Sequence, residues 1–195
     1  MLMLRLGKRS DLPQIERLAA ASPVGVTSLP ANRERLAEIL AASQASMAEE
    51  VTLTGEERYF FVLEDTDNGD LVGCSGIIAA SGFRAPFYTF RNEMFVHASR
   101  ELGLHNRIHV LSLCHDLTGH SLLAGFHLAD TRSDPAAMQL TARGRLLFMA
   151  SHPQRFAEST SVEVVGVSDS EGNAPFWDAV GRHFFSVSYS EAERI

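Results

Sequence analysis

The start of the chain shows apolar positions first at strand spacing and then at helical spacing. Leucine recurs at every second position of residues 2–6, which predicts a strand. Ser10 and Asp11 then supply an N-cap and Pro13 lies in a first turn, so a helix begins here. Its apolar face comprises Leu12, Ile15, Leu18 and Ala19. A second helix is predicted to begin near Pro30, with one side formed by Leu36, Ile39, Leu40, Ser43 and Met47.

Two apolar segments joined by a turn predict a β-hairpin next. Residues 59–63 are continuously apolar, which is typical of a strand covered on both faces. Residues 67–70 contain Gly69, as expected of a tight turn that requires positive φ. A returning strand over residues 71–80 completes the hairpin.

The rest of the chain predicts an inserted β region and then alternating strands and helices. An extended stretch runs to His97, a polar turn surrounds Gly103, and residues 108–114 and 122–128 form strands. A helix is predicted over residues 135–151, with Leu140, Leu146, Leu147 and Met149 among its apolar positions. Later elements are predicted as a β-branched strand at 161–167, a short helix at 176–180 and an alternating last strand at 184–189.

The order of these elements is β-α-α-β-β, an inserted β region, and then β-α-β-α-β. It predicts an α/β (α+β) fold with a mixed, mostly antiparallel sheet and flanking helices. An antiparallel meander that leads into two parallel strands with a helix between them resembles the GNAT N-acyltransferases, although ferredoxin-like folds share parts of this order. We expect residues 1–195 to form a single domain of this kind.

Composition excludes several classes of partner. Of the 195 residues, 45% are hydrophobic and 21% charged, as is usual for globular proteins. The net charge is −7 and the basic residues are scattered, which argues against nucleic acid. No apolar run approaches the roughly 18 residues of a membrane span, and residues 1–6 are too short for a signal peptide. We therefore expect a cytoplasmic protein with no membrane partner.

The cysteines and histidines do not predict a metal site. Cys74 and Cys114 lie in apolar surroundings and form no CxxC pair, so buried free thiols are expected rather than a disulfide or a metal centre. Free thiols fit a reducing compartment. The eight histidines are interpreted mainly as structural groups, and no metal is expected.

A coenzyme site is predicted where the strand at 122–128 leads into the following helix. Exposed N–H groups and the macrodipole make a helix N-terminus a natural anion site. The residues expected to contact a pyrophosphate there are Arg132, Ser133, Ala136 and Ala137. The segment lacks glycine and carries Asp130 and Asp134, so an ordinary strand-to-helix loop is the alternative.

Residues 173–185 resemble the closing GNAT pattern, in which a short helix ends at a glycine. Many GNAT enzymes have a tyrosine where Trp177 stands, which protonates the departing thiolate. An indole N–H is too weak an acid for that role. Trp177 is therefore expected to pack against the coenzyme or, alternatively, in the core.

Transfer to an amine requires a base, because the amine is mostly protonated at neutral pH. Five side chains are candidates, namely Glu93, His97, Glu101, His115 and Asp116. We place the catalytic prediction on His97, His115 and Asp116. For each of them, an inert structural role is the alternative. A serine hydrolase is disfavoured because no G-x-S-x-G motif occurs.

Several segments together resemble the arginine N-succinyltransferase family over nearly the whole chain. They are residues 9–12, 26–32, 61–65, 96–103, 113–114, 145–150, 166–169, 175–177 and 181–186. The resemblance implies transfer of succinyl from succinyl-CoA, or another acyl-CoA, to the α-amine of arginine or ornithine, with no permanently bound cofactor. We expect the acceptor pocket at Thr27, Ser28, Arg100 and Glu101. Arg100 would pair with a carboxylate and Glu101 with a guanidinium.

The chain differs from the family pattern in three respects. The family carries glycines in the loop at 133–138, and it has a histidine where Leu117 stands. Family members also continue into a second half of comparable size. A second hypothesis follows, in which the chain is a catalytically silent binding or partner subunit. It would then form a homodimer or a complex with a paralogue.

Overall fold

The computed structural model describes residues 1–169 and 171–193. In chain order its strands are β1 (Leu2–Leu6), β2 (Arg58–Asp65), β3 (Asp70–Ile78), β4 (Thr89–Ser99), β5 (Leu104–Cys114), β6 (Ser121–Leu128) and β7 (Thr160–Val162). Its α-helices are α1 (Leu12–Ala21), α2 (Arg33–Ala48), α3 (Pro135–Ser151), α4 (Arg182–Phe185) and α5 (Tyr189–Ala192). A turn of π-helix, Trp177–Gly181, precedes α4.

A five-stranded sheet with the order β1-β2-β3-β6-β7 forms the centre of the molecule. All neighbouring strands in it are antiparallel except β6 and β7, which are parallel. This confirms the predicted hairpin of β2 and β3 and the mixed, mostly antiparallel sheet. Helix α3 connects the two parallel strands, as the sequence predicted.

Helices cover both faces of the sheet. Successive strand residues point to opposite sides, and in β2 the residues on both sides are apolar. Phe60 and Val62 pack with the apolar sides of α1 and α2, whereas Phe61 packs with Phe148 of α3. This explains why residues 59–63 are apolar without alternation. Met47 was expected on the buried side of α2, and that expectation is wrong, because its side chain is exposed near the C-terminal end of the helix.

The large apolar residues of α3 do not mark its buried side, although Met149 packs against the core. Leu140, Leu146 and Leu147 are exposed, and the fully or nearly buried positions of the helix are Ala137, Thr141 and Arg145. Small residues allow the helix to approach the sheet closely. A side-chain carbon added at Gly144 would lie 2.3 Å from Leu4 Cδ2. Thr141 is accommodated because its hydroxyl donates to the Ala137 carbonyl at 2.9 Å.

The C-terminal strands are shorter than predicted or absent from the described residues. The strand expected at 161–167 ends at Val162, and the expected last strand at 184–189 is replaced by α4 and α5. A capping box explains the start of α5. The Ser188 side chain accepts from the Glu191 amide, and the Glu191 carboxylate accepts from the Ser188 amide.

Strands β4 and β5 form a separate two-stranded arm outside the central sheet. They pair along their whole length, from Thr89 opposite Cys114 to Ser99 opposite Leu104. Most arm residues are exposed on both faces, including the large apolar side chains Phe90, Met94, Phe95, Val96, Leu104, Ile108, Leu111 and Leu113. The inserted β region of the sequence is therefore this arm.

Candidate functional site

The two parallel strands of the sheet separate soon after they pair. Their register runs from Ser121 opposite Thr160 to Leu123 opposite Val162, and the Glu163 amide makes one more bond to the Leu123 carbonyl at 2.9 Å. Residues 164–169 then leave the sheet. We call the region between residues 124–126 of β6 and residues 163–165 the notch.

A β-bulge in β6 lies at the notch. Gly76 pairs with Ala124 and Cys74 pairs with His127, so Gly125 and Phe126 together stand opposite Ser75. Gly125 has φ +60°, which a residue with a side chain adopts only at a cost. From the α3 side, Arg145 donates to the carbonyls of Gly76 and Ala124, both at 3.4 Å. Burial lowers the pKa of this arginine.

Ser28 and Glu163 meet at the notch from distant parts of the chain. Ser28 belongs to the loop between α1 and α2, and its Cβ lies 3.6 Å from where a side chain on Gly125 would begin. Its hydroxyl donates to Glu163 Oε2 at 3.3 Å. Ser28 was predicted from the sequence, whereas Glu163 was missed. No local motif marks Glu163, because its position depends on where β7 ends.

A groove of about 850 Å³ leads to the notch from the side of α2. Thr27, Ser28, Ala124 and Gly125 line the end of the groove at the notch. The walls come from α2, from β2 and β3, and from the segment 80–87 at the base of the arm. Its charged lining residues are Arg35, Glu38, Glu49, Glu56, Glu57, Arg58 and Arg84. Since Arg84 and Glu56 pair with each other, the remaining side chains give the groove an acidic excess.

The predicted coenzyme loop lies between β6 and α3, and its groups already have intramolecular partners. The Arg132 guanidinium pairs with Asp65, and the Ser133 hydroxyl donates to the Ala129 carbonyl at 3.2 Å. The Asp134 carboxylate accepts from the amides of Ala136 and Ala137, both at 3.0 Å. An anion that binds these two amides must therefore displace Asp134.

The predicted catalytic and acceptor residues lie in three places, of which the groove and the outer part of the arm are the first two. Thr27 and Ser28 line the groove, whereas His97 is on β4 and Arg100 and Glu101 are in the turn at the tip of the arm. His97 lies roughly 27 Å along β4 from Thr89, at about 3.4 Å per residue. The structure therefore does not bring these two groups together within the chain.

His115 and Asp116 lie at the base of the arm, just after β5. The His115 ring contacts the Tyr88 ring, with centroids 4.8 Å apart. The Arg91 guanidinium donates from Nε to Asp116 at 2.7 Å. This ion pair lowers the pKa of Asp116, which weakens the carboxylate as a base.

Trp177 contacts its own C-terminal segment. Its indole N–H donates to the Val187 carbonyl at 2.9 Å, and its ring stacks on Phe185 with centroids 5.8 Å apart. These contacts occupy the polar atom of the side chain and one ring face. Its predicted contact with a coenzyme stays a prediction.

The thiols are free, as the sequence predicted. Cys74 is fully buried, and burial raises the pKa of its thiol to about 12. Cys114 is partly buried beside Thr89.

Within the described part of the chain, no three histidine, cysteine or acidic side chains are grouped so as to hold a metal ion. No helix in residues 1–169 or 171–193 is long and apolar enough to cross a membrane.

The antiparallel meander leads into two parallel strands that α3 connects, which is the GNAT-like arrangement that the sequence predicted. A family model described as "Arginine N-succinyltransferase beta subunit" matches residues 2–195. The chain therefore belongs to the arginine N-succinyltransferase family.

Relatives from Pseudomonas aeruginosa show how far the similarity extends. The chain is 60% identical over 195 residues to arginine N-succinyltransferase subunit alpha, covering 100% of this chain and 58% of that protein. It is 41% identical over 187 residues to subunit beta, covering 95% of this chain and 54% of that protein. The solved structure of arginine/ornithine succinyltransferase subunit AI superposes with a TM-score of 0.94 at 60% identity, over 100% of this chain and 59% of that chain. The chain thus spans a little more than half the length of these relatives.

Proposed function

We propose that the chain acts as an acyl-CoA-dependent N-acyltransferase. It would transfer succinyl from succinyl-CoA to the α-amine of arginine or ornithine. The observation that carries the proposal is the bulged notch at Gly125, which opens into an acidic groove. Acyl-CoA would enter as a co-substrate, with its thioester at the notch, and the amine would approach through the groove.

The acidic groove suits a cationic acceptor. Glu38, Glu49 and Glu57 line it together with Arg35 and Arg58, which leaves one carboxylate in excess, and carboxylates pair with ammonium and guanidinium groups. A covalent acyl-enzyme on Cys74 is disfavoured, because burial keeps its thiol neutral. The amine would therefore attack the thioester directly.

A spectrophotometric thiol assay tests the proposed acyl transfer. Release of coenzyme A thiol on addition of arginine or ornithine supports the proposal, and absence of release with any acyl-CoA contradicts it.

The loop before α3 is the proposed pyrophosphate site, in which Arg132, Ser133, Ala136 and Ala137 would contact the coenzyme. Asp134 now occupies the two alanine amides. Asp134→Asn keeps an oxygen for the helix cap but removes a charge that repels phosphate. We expect it to tighten coenzyme A binding about tenfold, as measured by calorimetry.

Arg132→Ala in the same loop should have the opposite effect. Loss of one charge-assisted contact is expected to weaken binding by about 1.5–3 kcal/mol. Arg143→Ala, an exposed change on α3, serves as the control and should leave the affinity unchanged. If neither loop variant changes the affinity, the coenzyme binds elsewhere.

The arm supports a second candidate function, that of a partner subunit. An isolated two-stranded hairpin is at best marginally stable in water, yet this arm exposes apolar side chains on both faces, with Leu102 73% exposed at its tip and Leu113 59% exposed at its base. Such a surface favours association. We propose a homodimer or a complex with a paralogue. His97, Arg100 and Glu101 at the outer part of the arm would then act on a neighbouring subunit's acceptor site.

Sedimentation at micromolar concentration tests the assembly. Phe95→Glu together with Ile108→Glu places charges at paired positions on one face of the arm and should shift the protein toward monomer. A wild-type protein that sediments as a monomer and transfers acyl groups would count against the partner-subunit function.

A further inference from the structure

We infer that Glu163 is the general base of the transfer: its carboxylate, held by Ser28 at the notch, takes the proton from the acceptor amine. The inference rests on the proposed acyl transfer. It assigns to Glu163 a role that the sequence prediction gave to His97, His115 and Asp116.

The backbone of Glu163 is fixed by the sheet. Its amide makes the last bond between β6 and the chain that follows β7, to the Leu123 carbonyl at 2.9 Å. Beyond this bond, β6 and the segment that follows β7 separate. Glu163 therefore marks the point of separation, and a rigid strand end positions its side chain more precisely than a free loop would.

The side chain of Glu163 is tied to the bulge through Ser28. The Ser28 hydroxyl donates to Glu163 Oε2 at 3.3 Å, and the Ser28 Cβ lies 3.6 Å from where a Gly125 side chain would begin. Ser28 and Gly125 both line the groove. The exposed Glu163 carboxylate thus lies beside Ser28, and Ser28 lines the end of the groove at the notch, where an acceptor amine would approach a thioester.

Among residues 1–169 and 171–193, no lysine or arginine forms an ion pair with Glu163. This distinguishes it from Asp116, which Arg91 pairs with, and from Asp65, which Arg132 pairs with. A carboxylate that is already paired with a guanidinium competes poorly for an ammonium proton. Glu163 can therefore bind the ammonium group and accept its proton.

The step balances in atoms and charge. The ammonium gives one proton to the Glu163 carboxylate, and the neutral amine attacks the thioester carbonyl carbon. The C–N bond forms and the C–S bond breaks, so that the thiolate leaves with the electron pair. The second nitrogen proton neutralises the thiolate, and Glu163 releases its proton to water.

Glu163→Gln tests the assignment, because it keeps the shape and the bond from Ser28 but removes the base. We expect kcat with arginine or ornithine to fall by about 10²- to 10³-fold, with coenzyme A affinity and melting temperature unchanged. Glu158→Gln, an exposed change just before β7, should leave kcat unchanged. A Glu163→Gln enzyme with wild-type kcat would overturn the inference while leaving the proposed function intact.

Hydroxylamine as the acceptor separates base catalysis from a structural role. It is largely unprotonated at neutral pH and needs no base before it attacks. We expect wild type and Glu163→Gln to acylate hydroxylamine at rates within about threefold of each other, in contrast to the much larger loss of base catalysis with arginine or ornithine. An equal loss with both acceptors would overturn the inference in favour of a structural role. A wild-type protein that acylates neither acceptor would instead contradict the proposed function itself.

Discussion

Replacement of Arg155 by alanine is expected to lower the free energy of unfolding by about 3 kcal/mol. The Arg155 side chain is buried and donates to the carbonyls of Ser46 at 2.7 Å and Glu49 at 2.8 Å, and to the Tyr59 hydroxyl at 3.1 Å. The carbonyls belong to the C-terminal end of α2, where the macrodipole favours a cation. Alanine would leave the Ser46 carbonyl and the Tyr59 hydroxyl buried without this donor.

Differential scanning calorimetry measures this effect. For a protein of this size, a loss of 3 kcal/mol lowers the melting temperature by roughly 6–12 °C. Arg143→Ala, which is exposed on α3, is the control and should change stability by less than about 0.5 kcal/mol. Because Ser46, Glu49 and Tyr59 also line the groove, Arg155→Ala should in addition raise the acceptor KM. An unchanged melting temperature would show that α2 does not depend on this side chain.

Gly125→Val is expected to abolish measurable acyl transfer, a loss of more than about 100-fold. A β-branched residue does not tolerate φ +60°, so the chain must leave that conformation and the bulge must rearrange. The register between β3 and β6 would shift, and Ser28 would lose its contact with the strand. Coenzyme A affinity, measured by calorimetry, should fall together with kcat.

Gly69→Val provides the matched control for backbone strain. Gly69 has φ +76° in the turn between β2 and β3, and nothing lies within 4 Å of where its side chain would begin. The variant should lose about 1–2 kcal/mol of stability through the same strain and keep wild-type kcat. Equal activity losses in the two variants would mean that strain, and not the notch, explains the effect.

Much of the fold could be predicted from the sequence where one local signal dominated. The continuous apolar run at 59–63 predicted a strand covered on both faces, which Phe60 and Phe61 confirm. The inner side of α3 could not be identified from its leucines, because close packing favours Ala137 and Gly144 there. That residues 1–195 form a single domain stays a prediction.

The last predicted strand was wrong because alternation was given more weight than capping. Phe184 to Tyr189 alternate, but the Ser188 and Glu191 side chains close a capping box that starts a helix instead. Phe184 itself is 77% exposed, so it does not occupy the buried position that a strand of the sheet would give it. A capping motif three residues apart could have been recognised from the sequence.

The site could be predicted only in part. Ser28 was identified through the family resemblance, and it does lie at the notch. Glu163 was not identified, because its contact with Ser28 joins positions 135 residues apart and depends on where β6 and β7 separate. The positions of His97, Arg100 and Glu101 at the outer arm likewise follow from the register of β4 with β5, which local patterns do not fix.

Titration of the protein with succinyl-CoA in a calorimeter tests the central claim, that the notch binds an acyl-CoA. We expect saturable binding at one site per chain, which the Gly125→Val variant loses and the Gly69→Val variant keeps. Absence of binding by wild type at millimolar succinyl-CoA, or equal binding by the Gly125→Val variant, would contradict it.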